Sequence, residues 1–175
     1  MKLSDYVASF AEQKGVREAF VLTGGCIVHV IDSIAKKKRI KYIPVQHEQS
    51  GAMAADCYAR LKDGYGLVLA TSGPGATNLL TGVCSAFYDS IPCFYFTGQV
   101  GQIHLKKDRG VRQLGFQETD VIEVFKPITK QINYLGKKSQ ESELKRYGFI
   151  NLIANAIHDI KIMSLENIFT QRNLT

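Results

Sequence analysis

The chain has 175 residues, 45% of them hydrophobic and 22% charged, with a net charge of +6. That length carries one domain with a real core and is short for two, and the balance excludes a disordered polymer. No apolar run approaches the ~20 residues of a membrane helix, and Asp5 interrupts Met1-Lys2-Leu3-Ser4-Asp5-Tyr6 where a secretory signal needs an unbroken apolar core, so the expectation is a soluble cytoplasmic protein with no membrane partner.

A first helix is expected over residues 3–14, where Leu3, Tyr6, Val7, Phe10 and Ala11 form a helical stripe and Gly15 is a plausible stop. Ala19-Phe20-Val21-Leu22 reads as a short buried strand. Gly24-Gly25 then punctuates the chain before a second stripe, Ile27, Val30, Ile31 and Ile34. Lys36-Lys37-Lys38-Arg39 and Lys41 follow, where cations complement a helix dipole. No aromatic residues interleave with them, so nucleic acid is not expected as a partner. Ile40 to Val45 is the next strand, and a helix of very small residues follows over about 47–61. Asp63-Gly64 turns the chain into Leu67-Val68-Leu69-Ala70, fit for a central parallel strand. A helix over 76–88 leads to a fourth strand, Cys93-Phe94-Tyr95-Phe96. Beyond 130 the pattern weakens: Gly136-Lys137-Lys138-Ser139-Gln140 reads as a loop and Glu143 to Ile160 as an amphipathic helix. Cysteines 26, 57, 84 and 93 show no metal-ligand spacing and are expected as buried, reduced thiols.

Strands separated by helices imply right-handed βαβ crossovers, hence an α/β fold with a parallel sheet and helices on both faces. Ligands in such sheets bind at the carboxyl ends of the strands. Three features fall there: Gly24-Gly25 after the first strand, Glu48 after the second, and Gly73-Pro74-Gly75 after the third.

Glu48 opens the helix His47-Glu48-Gln49-Ser50-Gly51-Ala52-Met53-Ala54-Ala55-Asp56. Alone, a Glu in a first helical turn is a dipole-complementing surface residue. Here the helix is small and apolar, which lets a flat ligand or a neighbouring domain come close. Desolvation there penalises the charged carboxylate while the helix N-terminus favours it, so the two effects oppose. A zinc-protease reading of His47-Glu48 fails, because Gly51 stands where the second His is needed. The turn in Thr71-Ser72-Gly73-Pro74-Gly75-Ala76-Thr77-Asn78 is not a Walker loop, and Asn78 departs from the dinucleotide fingerprint. Gly75 permits close backbone approach, and Thr77 or Asn78 could cap the helix or bond a ligand.

Together these segments resemble the pyrimidine-binding domain of thiamine diphosphate (ThDP) enzymes, most closely those of the acetolactate synthase type. Thr23-Gly24-Gly25-Cys26, Asp89-Ser90-Ile91-Pro92, Thr97-Gly98-Gln99-Val100, Gly115-Phe116-Gln117-Glu118 and Lys126-Pro127-Ile128-Thr129-Lys130 extend the resemblance. It implies that Glu48 is catalytic, sharing a proton with the pyrimidine N1′ and so favouring the imino tautomer that removes the C2 proton. It further implies that Gly24, Gly25, Pro74, Asn78 and Gln117 line the cofactor, with Gln117 at its substrate end. The resemblance covers residues 1–135, read as the pyrimidine domain, and leaves 136–175 as a divergent or truncated segment in which the family's last strand is not apparent. The chain has no Gly-Asp-Gly and no Asn-Asn, the family's signature for Mg²⁺ and diphosphate. Those groups are therefore expected from a partner domain or subunit, in a homo- or hetero-oligomer. The expected function is the ThDP-binding part of an enzyme acting on 2-oxo acids, inactive alone. A subunit of a split decarboxylase and a non-catalytic remnant are the alternatives.

Overall fold

Alternation along the strands decides which helix covers which side of the sheet. A computed structural model describes residues 2–135 and 150–155, with backbone alone for 131–135 and 150–155. Its first strands are β1 (Glu18–Val21), β2 (Lys41–Pro44), β3 (Gly66–Ala70) and β4 (Cys93–Gly98), and they run parallel in the order β2-β1-β3-β4. Ala19, Val21, Leu67, Leu69, Phe94 and Phe96 point to one face. There they meet Val7, Ala8 and Ala11 of α1 (Leu3–Gln13) and Val30 and Ile34 of α2 (Val28–Ala35). Phe20, Val68, Ala70, Cys93 and Tyr95 point to the other face. They pack against α3 (Glu48–Lys62), α4 (Pro74–Thr77), α5 (Leu80–Tyr88) and α6 (Val121–Phe125). The chain steps outward from β1 to β2 through α2, then back across to β3 through α3. Crossovers of one hand in opposite directions must place their helices on opposite faces, as α2 and α3 are.

The expected helix over 76–88 is two helices, α4 and α5, separated at Asn78-Leu79. The helix expected over Glu143 to Ile160 is instead a strand where the structure describes it, β6 (Ile150–Asn155). The other residues of that segment, the 136–140 loop and the 163–175 tail lie outside the described residues. β6 and β5 (Gln131–Leu135) extend the sheet past β4 to give β2-β1-β3-β4-β6-β5. β6 is antiparallel to both neighbours, so the sheet is parallel only through its first four strands. Ile150-Asn151-Leu152-Ile153-Ala154 is apolar apart from Asn151, and pairing with the otherwise open edge of β4 satisfies backbone groups that a helix would leave unpaired on β4.

Cys93 is buried and its thiol is pushed up to about 12 by desolvation, whereas Cys26 and Cys84 are half-buried and Cys57 is exposed. The expectation of four buried thiols thus holds fully only at Cys93 and fails outright at Cys57, which sits on the outer side of α3; all four are free. In the basic cluster, Lys36 pairs with Asp32 and Lys37 with Glu12 at 3.1 Å, tying the end of α2 to itself and to α1.

Candidate functional site

The strand order reverses between β1 and β3, and this is where an open α/β sheet leaves a crevice at its carboxyl edge. β2 continues as far as Val45, whose N–H donates to the Val21 carbonyl at 3.0 Å. His47 then caps α3 in an extended conformation, its Nδ1 accepting from the Gln49 N–H at 3.2 Å. Glu48 is therefore the first residue of α3, and it lies inside the crevice with 4% of its surface exposed. Its Oε2 accepts a hydrogen bond from the Asn78 side-chain amide at 2.9 Å. Its Oε1 accepts none among the described residues and faces Gly75, where a Cβ would approach within 3.0 Å. A shielded carboxyl with one oxygen held and the other unpartnered can accept a further hydrogen bond.

Thr71, at the end of β3, locks the two glycine turns together. A Cβ on Gly24 would come within 2.4 Å of the Thr71 Cβ, and one on Gly75 within 2.7 Å of its Cγ2. Sequence reading did not single out Thr71; its one signal is a β-branched residue between a buried strand and Gly-Pro-Gly. Gly73 has φ +58°, a conformation that glycine adopts without strain, and Pro74 starts α4. Asn78 ends α4 as its C-cap, its backbone N–H donating to the Pro74 carbonyl at 2.9 Å, while its side-chain amide donates to Glu48. Thr77 turns back to the Pro74 carbonyl at 3.2 Å.

Gly25 faces open space, with nothing within 4 Å of a Cβ built there. Next to it, Cys26 lies across the ends of β3 and β4: Ser72 Oγ donates to its sulfur at 3.3 Å, and a Cβ on Gly98 would meet its backbone and Cβ. Gln117 arrives from a long connection. Its carbonyl oxygen lies 2.4 Å from the place of a Gly73 Cβ, its φ is +56°, and its side chain is exposed. Gly24, Gly25, Glu48, Pro74, Asn78 and Gln117 thus gather at one edge of the sheet.

The small residues of α3 are not at that opening. Gly51, Ala52, Ala55 and Ala59 are buried within the chain. A Cβ on Gly66 of β3 would reach 2.3 Å from the Ala55 carbonyl, and one on Gly82 of α5 2.3 Å from the Ala52 Cβ. Their size serves close helix–strand and helix–helix packing, which corrects the reading of this face as a ligand or domain surface. Arg60 then bridges buried Asp56 to Asp89 beyond α5, fastening the same two helices.

Among the described residues, no group of three or more His, Cys, Asp or Glu is arranged to hold a metal ion, and no helix is long and apolar enough to cross a membrane. An open sheet with a shielded carboxylate between two glycine turns at its switch point defines a cofactor-binding α/β domain. Residues 1–124 match the family described as "Thiamine pyrophosphate enzyme, N-terminal TPP binding domain", and the chain belongs to that family as an acetolactate synthase-like N-terminal domain. It is 45% identical over 118 residues to the acetolactate synthase large subunit of Cyanidium caldarium, covering 66% of this chain and 19% of that one. To the acetolactate synthase large subunit of Lactococcus lactis it is 39% identical over 127 residues, covering 73% and 21%. To acetolactate synthase 2, chloroplastic, of Nicotiana tabacum it is 39% identical over 134 residues, covering 77% and 19%. The chain spans about a fifth of the length of the curated relatives it matches.

Proposed function

We propose that this chain supplies the pyrimidine half of a ThDP site in an acetolactate synthase-like enzyme acting on 2-oxo acids. The reaction is decarboxylation, or transfer of the resulting acyl unit to an acceptor. The observation that carries this is the Glu48 carboxyl, buried, held by Asn78 on Oε2 and open on Oε1 beside Gly75. Glycine at 24 and 75 keeps side-chain bulk away from that carboxyl, since a Cβ at either would collide with Thr71, and Gly25 leaves backbone facing open space; a planar nitrogen heterocycle is the partner this reading assigns there. Glu48 is the catalytic acid: its open oxygen shares a proton with the pyrimidine N1′, and Asn78 fixes the carboxyl plane while it does so. Gly24, Gly25 and Pro74 line the ring, and Gln117 stands at the substrate end. When bound, ThDP supplies the carbon nucleophile and electron sink that let a 2-oxo acid lose its carboxylate.

Mg²⁺ and the diphosphate are held by a diphosphate-binding domain or subunit, so the partner completes the site across an interface in a cytoplasmic homo- or hetero-oligomer. Alone, the 175-residue chain is inactive. A split enzyme, with the diphosphate domain on its own subunit, uses the same geometry. A neighbouring gene for that subunit would mark it.

The test is C2–H exchange of ThDP bound to this chain paired with a diphosphate-binding domain. Glu48→Gln keeps the shape of the side chain and cannot supply the proton, so exchange should slow ~10²–10⁴-fold. Were Glu48 only a helix-start residue, the change would cost about 0.3–1 kcal/mol of stability and leave exchange untouched, and that outcome overturns the reading.

A further inference from the structure

Residues 99–120 leave the sheet at the end of β4 and return to it at α6, and Gln117 lies near their end. The segment carries three positive φ angles, at Lys107 (45°), Gly110 (69°) and Gln117 (56°). Two of these are at residues with a Cβ, for which the left-handed region costs energy and must be imposed by surroundings. Glu118 imposes it. One of its carboxylate oxygens accepts the backbone N–H of Lys106 at 2.7 Å, and the other accepts that of Leu114 at 3.0 Å. A second clasp closes the ends. Buried Gln99 donates from Nε2 to the Thr119 carbonyl at 2.8 Å and accepts the Val100 N–H on Oε1 at 2.9 Å. Gly115 is pressed onto Val100, where a Cβ would come within 2.8 Å of its side chain. Gln117 has no hydrogen bond of its own among the described residues; its backbone rests on Gly73.

We propose that Glu118 is a positioning residue: by gathering the amides of Lys106 and Leu114 on its two oxygens, it folds residues 99–120 into a strap that seats Gln117 on Gly73. The left-handed turn at Gln117 sends adjacent side chains apart, with Glu118 into the strap and Gln117 outward over the cofactor edge. Glu118 itself touches neither cofactor nor substrate. Its effect on a 2-oxo acid passes through Gln117, and that consequence rests on the ThDP reading above; the strap itself does not.

The first arm of the test uses the 175-residue chain and amide hydrogen exchange. In Glu118→Ala the Lys106 and Leu114 amides should exchange about tenfold to a hundredfold faster, as expected for hydrogen bonds to a charged acceptor, while Leu69 and Phe96 in the sheet keep their rates. Glu118→Gln has one carbonyl oxygen in place of two, so one of the two amides should stay protected and the other lose protection. Unchanged protection of both amides in Glu118→Ala overturns the proposal. So does equal loss at Leu69 and Phe96, which would make Glu118 a support of the whole fold.

The second arm uses the chain completed by a diphosphate-binding domain. Gln117→Ala and Glu118→Ala should each raise KM for the 2-oxo acid, and the double variant should be no worse than the poorer single one. Additive losses overturn the positioning role. Failure of the ThDP reading shows elsewhere, as undiminished C2–H exchange in Glu48→Gln, with the amide-exchange result standing on its own.

Discussion

Replacing Asn78 with alanine would leave the Glu48 carboxylate buried without its donor. A hydrogen bond to a charged group is worth about 1.5–3 kcal/mol, so urea denaturation of Asn78→Ala should show a loss in that range, and a loss under about 0.5 kcal/mol would refute the pairing. Glu48→Gln keeps an oxygen for Asn78 and should lose less stability than Asn78→Ala. Glu118 gives a second residue-level prediction. Burial raises its pKa, but hydrogen bonds from the Leu114, Lys106 and Gly115 amides, with the Lys106 charge, outweigh this and hold it below the ordinary glutamate value. A carboxyl depressed on folding contributes stability above its unfolded pKa and loses it as pH falls through its folded pKa. The Lys106 and Leu114 amides should therefore stay protected across neutral pH and lose protection only below the usual glutamate range, as NMR exchange would record. Glu48 could be placed from the sequence because the end of β2 fixes the start of α3. The partner of Asn78 could not, since a residue thirty positions away in the chain is adjacent only after β3 is laid beside β1.

At the scale of elements, the four parallel strands were readable because each is a short apolar run between breakers, α1 and α2 because their stripes are regular, and α3 because its run of small residues follows a strand. Where reading failed, tertiary packing had decided. The stripe over 76–88 continues through Asn78-Leu79, but Asn78 is drawn toward Glu48 and the Leu79 N–H bonds to Ala76, which divides the helix. The 150–155 segment went to a strand because an unpaired edge of β4 lay beside it, a condition no local pattern records. The small residues of α3 carried a true signal of close approach, with the wrong partner assigned. That partner is testable. In Gly82→Ala the new Cβ would lie 2.3 Å from the Ala52 Cβ, so α3 and α5 must part. Overpacking of this kind costs about 1–3 kcal/mol. Denaturant unfolding should show that loss, and adding Ala52→Gly should recover part of it. No recovery would mean that the two helices are not held at this contact.

Among the described residues, ten large apolar side chains are exposed. Phe116 is 80% exposed, Leu61 77%, Tyr88 74% and Ile103 70%. Single exposed apolar residues are ordinary, and contiguous ones mark interaction surfaces. Apart from Val28 on α2 and Val124 on α6, they fall in two places. Ile103, Val111, Leu114 and Phe116 belong to the strap that carries Gln117, and Met53, Leu61, Leu80 and Tyr88 belong to α3 and α5, which pack against each other. The strap group borders the edge where Glu48 opens, so a partner that completes a cofactor site there would also cover it. From this we expect the purified chain to self-associate, with a sedimentation coefficient that rises with concentration. Phe116→Lys should weaken that association without lowering the unfolding midpoint, because the side chain contributes little to the core. Given ThDP, Mg²⁺ and a 2-oxo acid, the associated chain should release no CO₂, since copies of this chain bring no Gly-Asp-Gly to one another. Adding a diphosphate-binding domain should disperse the self-associated species and start turnover that Glu48→Gln removes. A monodisperse monomer at high concentration would contradict the exposed strap as an interface. Turnover by the chain alone, persisting in the wild type and abolished by Glu48→Gln, would contradict the assignment of diphosphate and metal binding to a partner.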